Sequence, residues 1–431
     1  MSSQTESFEK SNVENGTEHA AEKPTMPPEE GLKGWLCIVG ATMSIFSTFG
    51  FLNAAGVFQT YYETNILSQY SPSTISWIFA LQLCLMWAPG PLFGRLLAAF
   101  GATAIMIPCS VLCVFALCMT SLCKEYYQII LAQGLCFGFG AGGVFTTAVV
   151  CAGQWFERRR GLAMGITISG ASIGGVIFPF FVNRVMDDIG FAGALRYTAL
   201  LIGILQVIAC ALVTCRVPRK GWDGRTAWVN FRLFTDRGFS LYTAGAFLLM
   251  LGLWGPFDFL SSMAKSTADF SDSLALYLIA LINAGSFFGR IIPAHIADTF
   301  GYFNMMTIVS FAASITIICL WIPFDYHPSH AGLMVFSVVY GFVSGGYISL
   351  LMPCAFRSGS LESLGQRFGM FQAVMAVSCL IGLPIQGAIL NAEQGKYLGL
   401  QLFCGISMFV GAALVMAARI AHVGFVLNKG D

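Results

Sequence analysis

Charge is what this sequence has least of. Lys, Arg, Asp and Glu make up 10% of its 431 residues, against about 25% in an ordinary soluble domain. A soluble exterior needs polar cover, so a chain that is 56% hydrophobic and this poor in charge must meet an apolar solvent, the lipid bilayer. The net charge of +1 argues against nucleic acid as a partner, because binding a polyanion draws on concentrated Lys and Arg. No GxxxxGK[ST] loop is present, so ATP does not drive this protein directly. No paired carboxylates, nucleophile and base, or metal-type cluster stands out at one membrane level, so neither an enzyme, a cofactor nor a structural metal is expected. His327 and His330, with Asp325 nearby, read as an ordinary solvated outer loop. Cysteine is not scarce, but Cys37, Cys84, Cys109, Cys113, Cys210, Cys319, Cys379 and Cys404 lie inside apolar runs and read as small packing residues.

The first 30 residues are polar and acidic and lack an apolar core. They do not form a cleavable signal peptide and read as a disordered cytosolic tail, where the sequon Asn15-Gly16-Thr17 would stand idle.

What is present is a series of apolar runs long enough to cross the roughly 30 Å bilayer core as helix. They run from about Trp35 to Phe58, Thr74 to Ala99, Thr103 to Cys123, Gln128 to Cys151, Gly161 to Val182 and Ala194 to Cys215. After a polar connector come Gly238 to Met263, Ser273 to Ala297, Tyr302 to Ile322, Ala331 to Met352, Phe368 to Leu390 and Leu398 to His422. Barrel strands would be about half as long and alternating, so the expected class is an all-α polytopic membrane protein of twelve helices. The implied organisation is a tail over 1–34, a six-helix half over 35–215, a connector over 216–237, a second half over 238–422 and a short tail over 423–431.

An even number of spans puts both termini on one side. That side holds eighteen of the 23 Lys and Arg residues and the other holds Lys124, Arg184, Arg196, Lys265 and Lys396. The positive-inside rule therefore places both termini and the connector in the cytosol, with the plasma membrane as the expected location.

The chain also carries an internal echo. Gly94-Arg95-Leu96-Leu97-Ala98-Ala99-Phe100-Gly101 follows the second span, and Ala294-His295-Ile296-Ala297-Asp298-Thr299-Phe300-Gly301 follows the eighth. Repeated halves are the mark of transporters that expose a central site alternately to either side. Here the chain resembles the major facilitator superfamily, whose loop motif Gly-x-x-x-Asp-x-x-Gly is kept at Asp298 and Gly301 but has Ala98 in place of the first acid. Two further stretches, Glu30-Gly31-Leu32-Lys33-Gly34-Trp35 and Trp155-Phe156-Glu157-Arg158-Arg159-Arg160-Gly161-Leu162-Ala163-Met164-Gly165, resemble the openings of spans one and five in the monocarboxylate transporter family, in its fungal form. Aromatic and basic residues at a membrane boundary also anchor any helix.

Polar side chains deep in an apolar helix point to a partner or a water-filled cavity. The clearest are Asn53, Gln82, Gln133, Asn283, Arg290, Gln372 and Gln386. The resemblance implies that Arg290 pairs with a substrate carboxylate; the other reading is that it snorkels or bonds a neighbouring loop. The same resemblance implies that Asn53 stands at a lost lysine and Ser286 at a lost proton-carrying aspartate, so the family's proton route cannot operate unchanged. Asp258 is then a candidate proton site or an interfacial acid facing water. Trp254 beside it fits either stacking on a substrate or membership of the interfacial aromatic belt. Glycines crowd spans four and five, where they let helices approach closely, and Gly94, Arg95, Gly101, Asp298 and Gly301 are expected to act in the conformational change.

The function expected is secondary transport of a small organic solute, a carboxylate or moderately apolar organic acid, by alternating access, either as efflux of a metabolite or uptake of a nutrient. A transporter-like membrane sensor without flux is the alternative. The sequence leaves the oligomeric state open, and a monomer is compatible with either.

Overall fold

The computed structural model describes residues 31–219, 221–222, 228–268, 270–357 and 363–423. The expected N-terminal tail up to residue 30, most of the C-terminal tail and the middle of the connector lie outside them. Every long element among the described residues is a helix, because backbone N–H and C=O groups in lipid must be satisfied within the segment.

The membrane helices are α1 (Leu32–Ile66), α2 (Ser73–Phe100), α3 (Ala102–Thr120), α4 (Tyr126–Trp155), then α5 and α6 over 160–189 and 191–212. The second half comprises α7 (Arg237–Thr267), α8 (Asp272–Phe300), α9 (Tyr302–Tyr326), α10 (His330–Arg357), α11 (Leu364–Ala392) and α12 (Leu398–Val423). Helices α5 and α6 are continuous in hydrogen bonding but turn at Gly190, whose φ of 78° and ψ of 172° are not helical. A residue with a Cβ pays for that conformation and glycine does not. The echo in the sequence is an echo in the backbone: Gly101, with φ 82°, closes α2 and Gly301, with φ 99°, closes α8.

Several helices are interrupted along their length. α1 carries a π-turn at Phe46–Gly50, α4 one at Ile130–Phe137, and α7 breaks at Trp254 before Gly255 and Pro256. Such bulges turn side chains out of register with the regular helix and recur at functional positions.

Glycine sets the packing within the first half. Gly170 lies against the Thr42 carbonyl, Gly140 against the Cys109 carbonyl, and Gly50 and Gly174 leave room only for each other's backbone. Buried amides tie neighbouring helices together: Tyr62 Oη donates to Gln133 Oε1 at 2.5 Å, and Gln386 Nε2 donates to the Leu251 carbonyl at 2.6 Å. The glycines of α4 and α5 thus lie where neighbouring helices approach closely, and Gln133 and Gln386 find partners on neighbouring helices while Gln82 finds none among the described residues.

Candidate functional site

The seam between the halves runs along α5 and α8. Asn283 and Arg290 are seven residues apart on α8 and so share one helical face, and that face meets the small residues of α5. A Cβ added at Gly165 would collide with the Arg290 carbonyl, and one at Gly175 would fall between the amides of Asn53 and Asn283. Asn53 Nδ2 donates to the Ala171 carbonyl of α5 at 3.1 Å. Asn283 Nδ2 donates to Ile279 of its own helix at 3.0 Å, while its Oδ1 is buried with no partner among the described residues.

Arg290 is 2% exposed. Its Nη1 donates to the Ile168 carbonyl of α5 at 2.7 Å, and its Nε has no partner among the described residues. The guanidinium thus does not snorkel to the surface, and it meets no acid among the described residues: it crosses from one half to the other. Ser286 does not join it. It lies beside Gly345 of α10, although steps of three from Asn283 and four from Arg290 would allow it to share their face.

Trp254 lies at mid-span rather than in the aromatic belt. It is 8% exposed and stacks on Phe49 of α1, with ring centroids 5.9 Å apart and planes at 22°. Phe49 continues the contact to Phe145 of α4 at 6.1 Å, and Phe145 reaches Trp87 of α2 at 5.2 Å and Phe368 of α11 at 6.3 Å. The sequence reading singled out Trp254 but not Phe49, Trp87, Phe145 or Phe368, since an aromatic in an apolar run has the same signature whether it faces lipid or a seam. Gln372 completes this layer. Its Oε1 accepts from Thr146 of α4 at 3.0 Å, and its Nε2, like Trp87 Nε1, is buried with no partner among the described residues.

Toward the face opposite the described chain ends, α1 and α7 each carry an uncrowded position. Gly56, two turns beyond Phe49, has no atom within 4 Å of where a Cβ would stand, and Asp258, one turn beyond Trp254, is exposed. The Asp258 carboxylate has no hydrogen-bond or ion-pair partner among the described residues, which suits an acid facing an open vestibule.

On the face of the chain ends the halves are shut. A Cβ at Gly94 would strike the Gly365 carbonyl, one at Gly161 the Ala294 carbonyl, and Gly90 lies against Gln372. Asp298 accepts from the Gly161 and Leu162 amides at 2.6 and 2.9 Å, and from Tyr302 Oη at 2.9 Å. The first-turn N–H groups of a helix have no intrahelical partner and carry a partial positive charge, so this carboxylate joins α8 to α5. At the related position Ala98 has no such group. Its neighbour Arg95 instead lies between Trp222 and Trp228 of the connector, 4.7 and 4.1 Å from their ring centres, and Gly101 packs against Arg219.

Twelve helices in two halves, in close backbone contact on one face around a buried seam, are the architecture of a secondary transporter. The family description "Major Facilitator Superfamily" matches residues 35–383, and the chain belongs to that superfamily. It is 37% identical to the MFS-type transporter hasB of Aspergillus fumigatus over 97% of this chain and 96% of the relative. It is 39% identical to the aspyridones efflux protein apdF of Emericella nidulans over 91% of this chain and 79% of that one. The fujikurins efflux protein of Gibberella fujikuroi is 36% identical over 92% and 84% respectively. Among solved structures, the human organic anion transporter MFSD10 superposes with a TM-score of 0.68 at 13% identity, over 90% of this chain and 98% of that one. The protein is therefore a multi-pass membrane transporter of a small-molecule solute and not an enzyme.

Proposed function

We propose that this chain exports an organic acid or moderately apolar organic metabolite from the cytosol by alternating access. The halves over 35–215 and 238–422 are the moving bodies, joined by the connector over 216–237, with both termini in the cytosol and the plasma membrane as the site of action. A monomer is sufficient, because the seam lies within one chain. Its kinship within the superfamily is with monocarboxylate porters whose charges have been altered. Two of the relatives are named as efflux proteins, which favours the outward direction.

The observation that carries this reading is the asymmetry of the seam, shut by backbone contact at Gly94, Gly161 and Gly165, whereas beyond Phe49 and Trp254 Gly56 is uncrowded and Asp258 exposed. When the halves rock, the contact of α5 with α8 parts and Arg290 loses the Ile168 carbonyl. A guanidinium cannot discard its charge, so a solute acid reaching it from the cytosol takes the carbonyl's place. Asn53 and Asn283 supply neutral hydrogen bonds around it, Trp254 supplies an apolar wall, and Asp258 carries the coupled proton in place of the absent aspartate; Ser286, turned to α10, takes part only if the motion of the halves brings it round. Asp298 and Gly301, with Gly94, Arg95 and Gly101, set the balance between the two states.

Purified protein in lipid vesicles provides the test. Counterflow of a labelled organic acid, and its acceleration by a pH gradient, are the results expected. Absence of counterflow for every acid tried, in protein whose two faces do not alternate in accessibility, would leave the sensor reading in its place.

A further inference from the structure

The layer formed by Phe49, Trp254, Phe145, Trp87 and Gln372 has a chemistry that simple helix packing does not require. Its rings come from both halves, and the Phe49 and Trp254 planes are close to parallel, the arrangement in which a third flat ring fits between them when the halves move. Three of its members, Trp87, Trp254 and Gln372, have a buried donor with no partner among the described residues, and two of these, Trp87 and Gln372, lie together. Trp87 is 1% exposed and Gln372 is fully buried, yet Trp87 Nε1 and Gln372 Nε2 donate to nothing among the described residues. Buried donors are nearly always paired, and one left unpaired costs stability. Both belong to the face on which α2 meets α11: Trp87 precedes Gly90 by one turn, and Gly90 lies against Gln372. Both groups are donors and both are neutral, so the atom they await is an acceptor such as a carbonyl or enolate oxygen.

We propose that this layer is the specificity site of the transporter, and that it takes a conjugated, ring-bearing organic acid whose ring inserts between Phe49 and Trp254. A ring carbonyl of the solute accepts from Trp87 Nε1 and Gln372 Nε2. Short aliphatic monocarboxylates lack both the flat π-face and a ring carbonyl apart from the carboxylate, and are poor substrates. This rests on the transport reading above and specifies its substrate class.

Three bicyclic acids separate the two contributions. Coumarincarboxylate has a conjugated ring and a ring carbonyl, naphthoate keeps the conjugation without the carbonyl, and decahydronaphthoate has neither. Isothermal titration of the purified full-length protein is expected to rank them in that order, with about tenfold between steps, or about 1.4 kcal/mol each. Trp87→Phe and Gln372→Leu erase the first step and keep the second. Phe49→Leu and Trp254→Leu erase the second, whereas Phe49→Tyr and Trp254→Phe preserve it and show that the fold is intact. Equal affinities for the three acids, no binding of any of them, or a ranking that survives all four disruptive substitutions overturns the proposal. Vesicle flux of the same acids is read separately. Flux without ranked binding removes the specificity site and leaves transport standing, while ranked binding without flux of any acid removes transport and leaves the site.

Discussion

Asp298 at the end of α8 accepts hydrogen bonds from the backbone of Gly161 and Leu162 at the start of α5, at 2.6 and 2.9 Å. This is a carboxylate of one half placed on the N-terminus of a helix in the other, and the internal repeat has no second copy because Ala98 stands in the related place. The closed face is therefore held by polar bonds at one helix pair and by glycine contact at the other.

Replacing Asp298 with Asn removes the charge and sets an amide N–H group against a backbone donor. Hydrogen bonds to charged groups are worth about 1.5–3 kcal/mol, so the Gly161 and Leu162 amides should exchange with deuterium about ten to a hundred times faster, with little change at α12. Unchanged protection at those two amides would show that the bonds do not hold the face shut.

Gly165→Val and Gly94→Val place side chains where the Arg290 and Gly365 carbonyls now lie. Both proteins should still fold, because each collision is between halves and moving them apart relieves it. Thermal unfolding midpoints within a few degrees of the parent, together with counterflow reduced by about tenfold or more (about 1.4 kcal/mol or more), are expected. Counterflow at the parent rate would mean that the faces need not close at these points.

Arg290→Gln keeps a donor for the Ile168 carbonyl but has no charge for a solute acid. Arg290→Lys keeps the charge as a compact point without the planar fork. Flux should fall about tenfold or more in the first and be partly retained in the second. Equal, near-normal flux in both would make Arg290 a packing residue of α5 and α8.

Asp258→Asn tests proton coupling. Counterflow, which needs no net proton movement, should persist, while acceleration of net transport by a pH gradient should disappear. A gradient response as large as the parent's would place the proton elsewhere.

Twelve spans and the repeat at Gly101 and Gly301 could be read from the sequence because lipid imposes a simple rule, that each crossing be apolar and long, and because a turn requiring positive φ needs glycine at both ends of the repeat. The same rule made Asn53, Asn283 and Arg290 conspicuous, since a polar group in an apolar run announces itself. It could not say that Arg290 reaches Ile168, that Ser286 turns to α10, or that Trp254 leaves the belt for mid-span. Those outcomes depend on the π-turn in α1, the break in α7 and the fit of α5 glycines against α8. Phe49, Trp87, Phe145 and Phe368 were hidden for a related reason: hydropathy measures how well a side chain leaves water and is blind to whether its neighbour is lipid or another helix. Composition and spacing thus determined the solvent, the number of crossings and the repeat. Tertiary packing alone decided which aromatic rings face one another across the seam and on which face the two halves are in backbone contact.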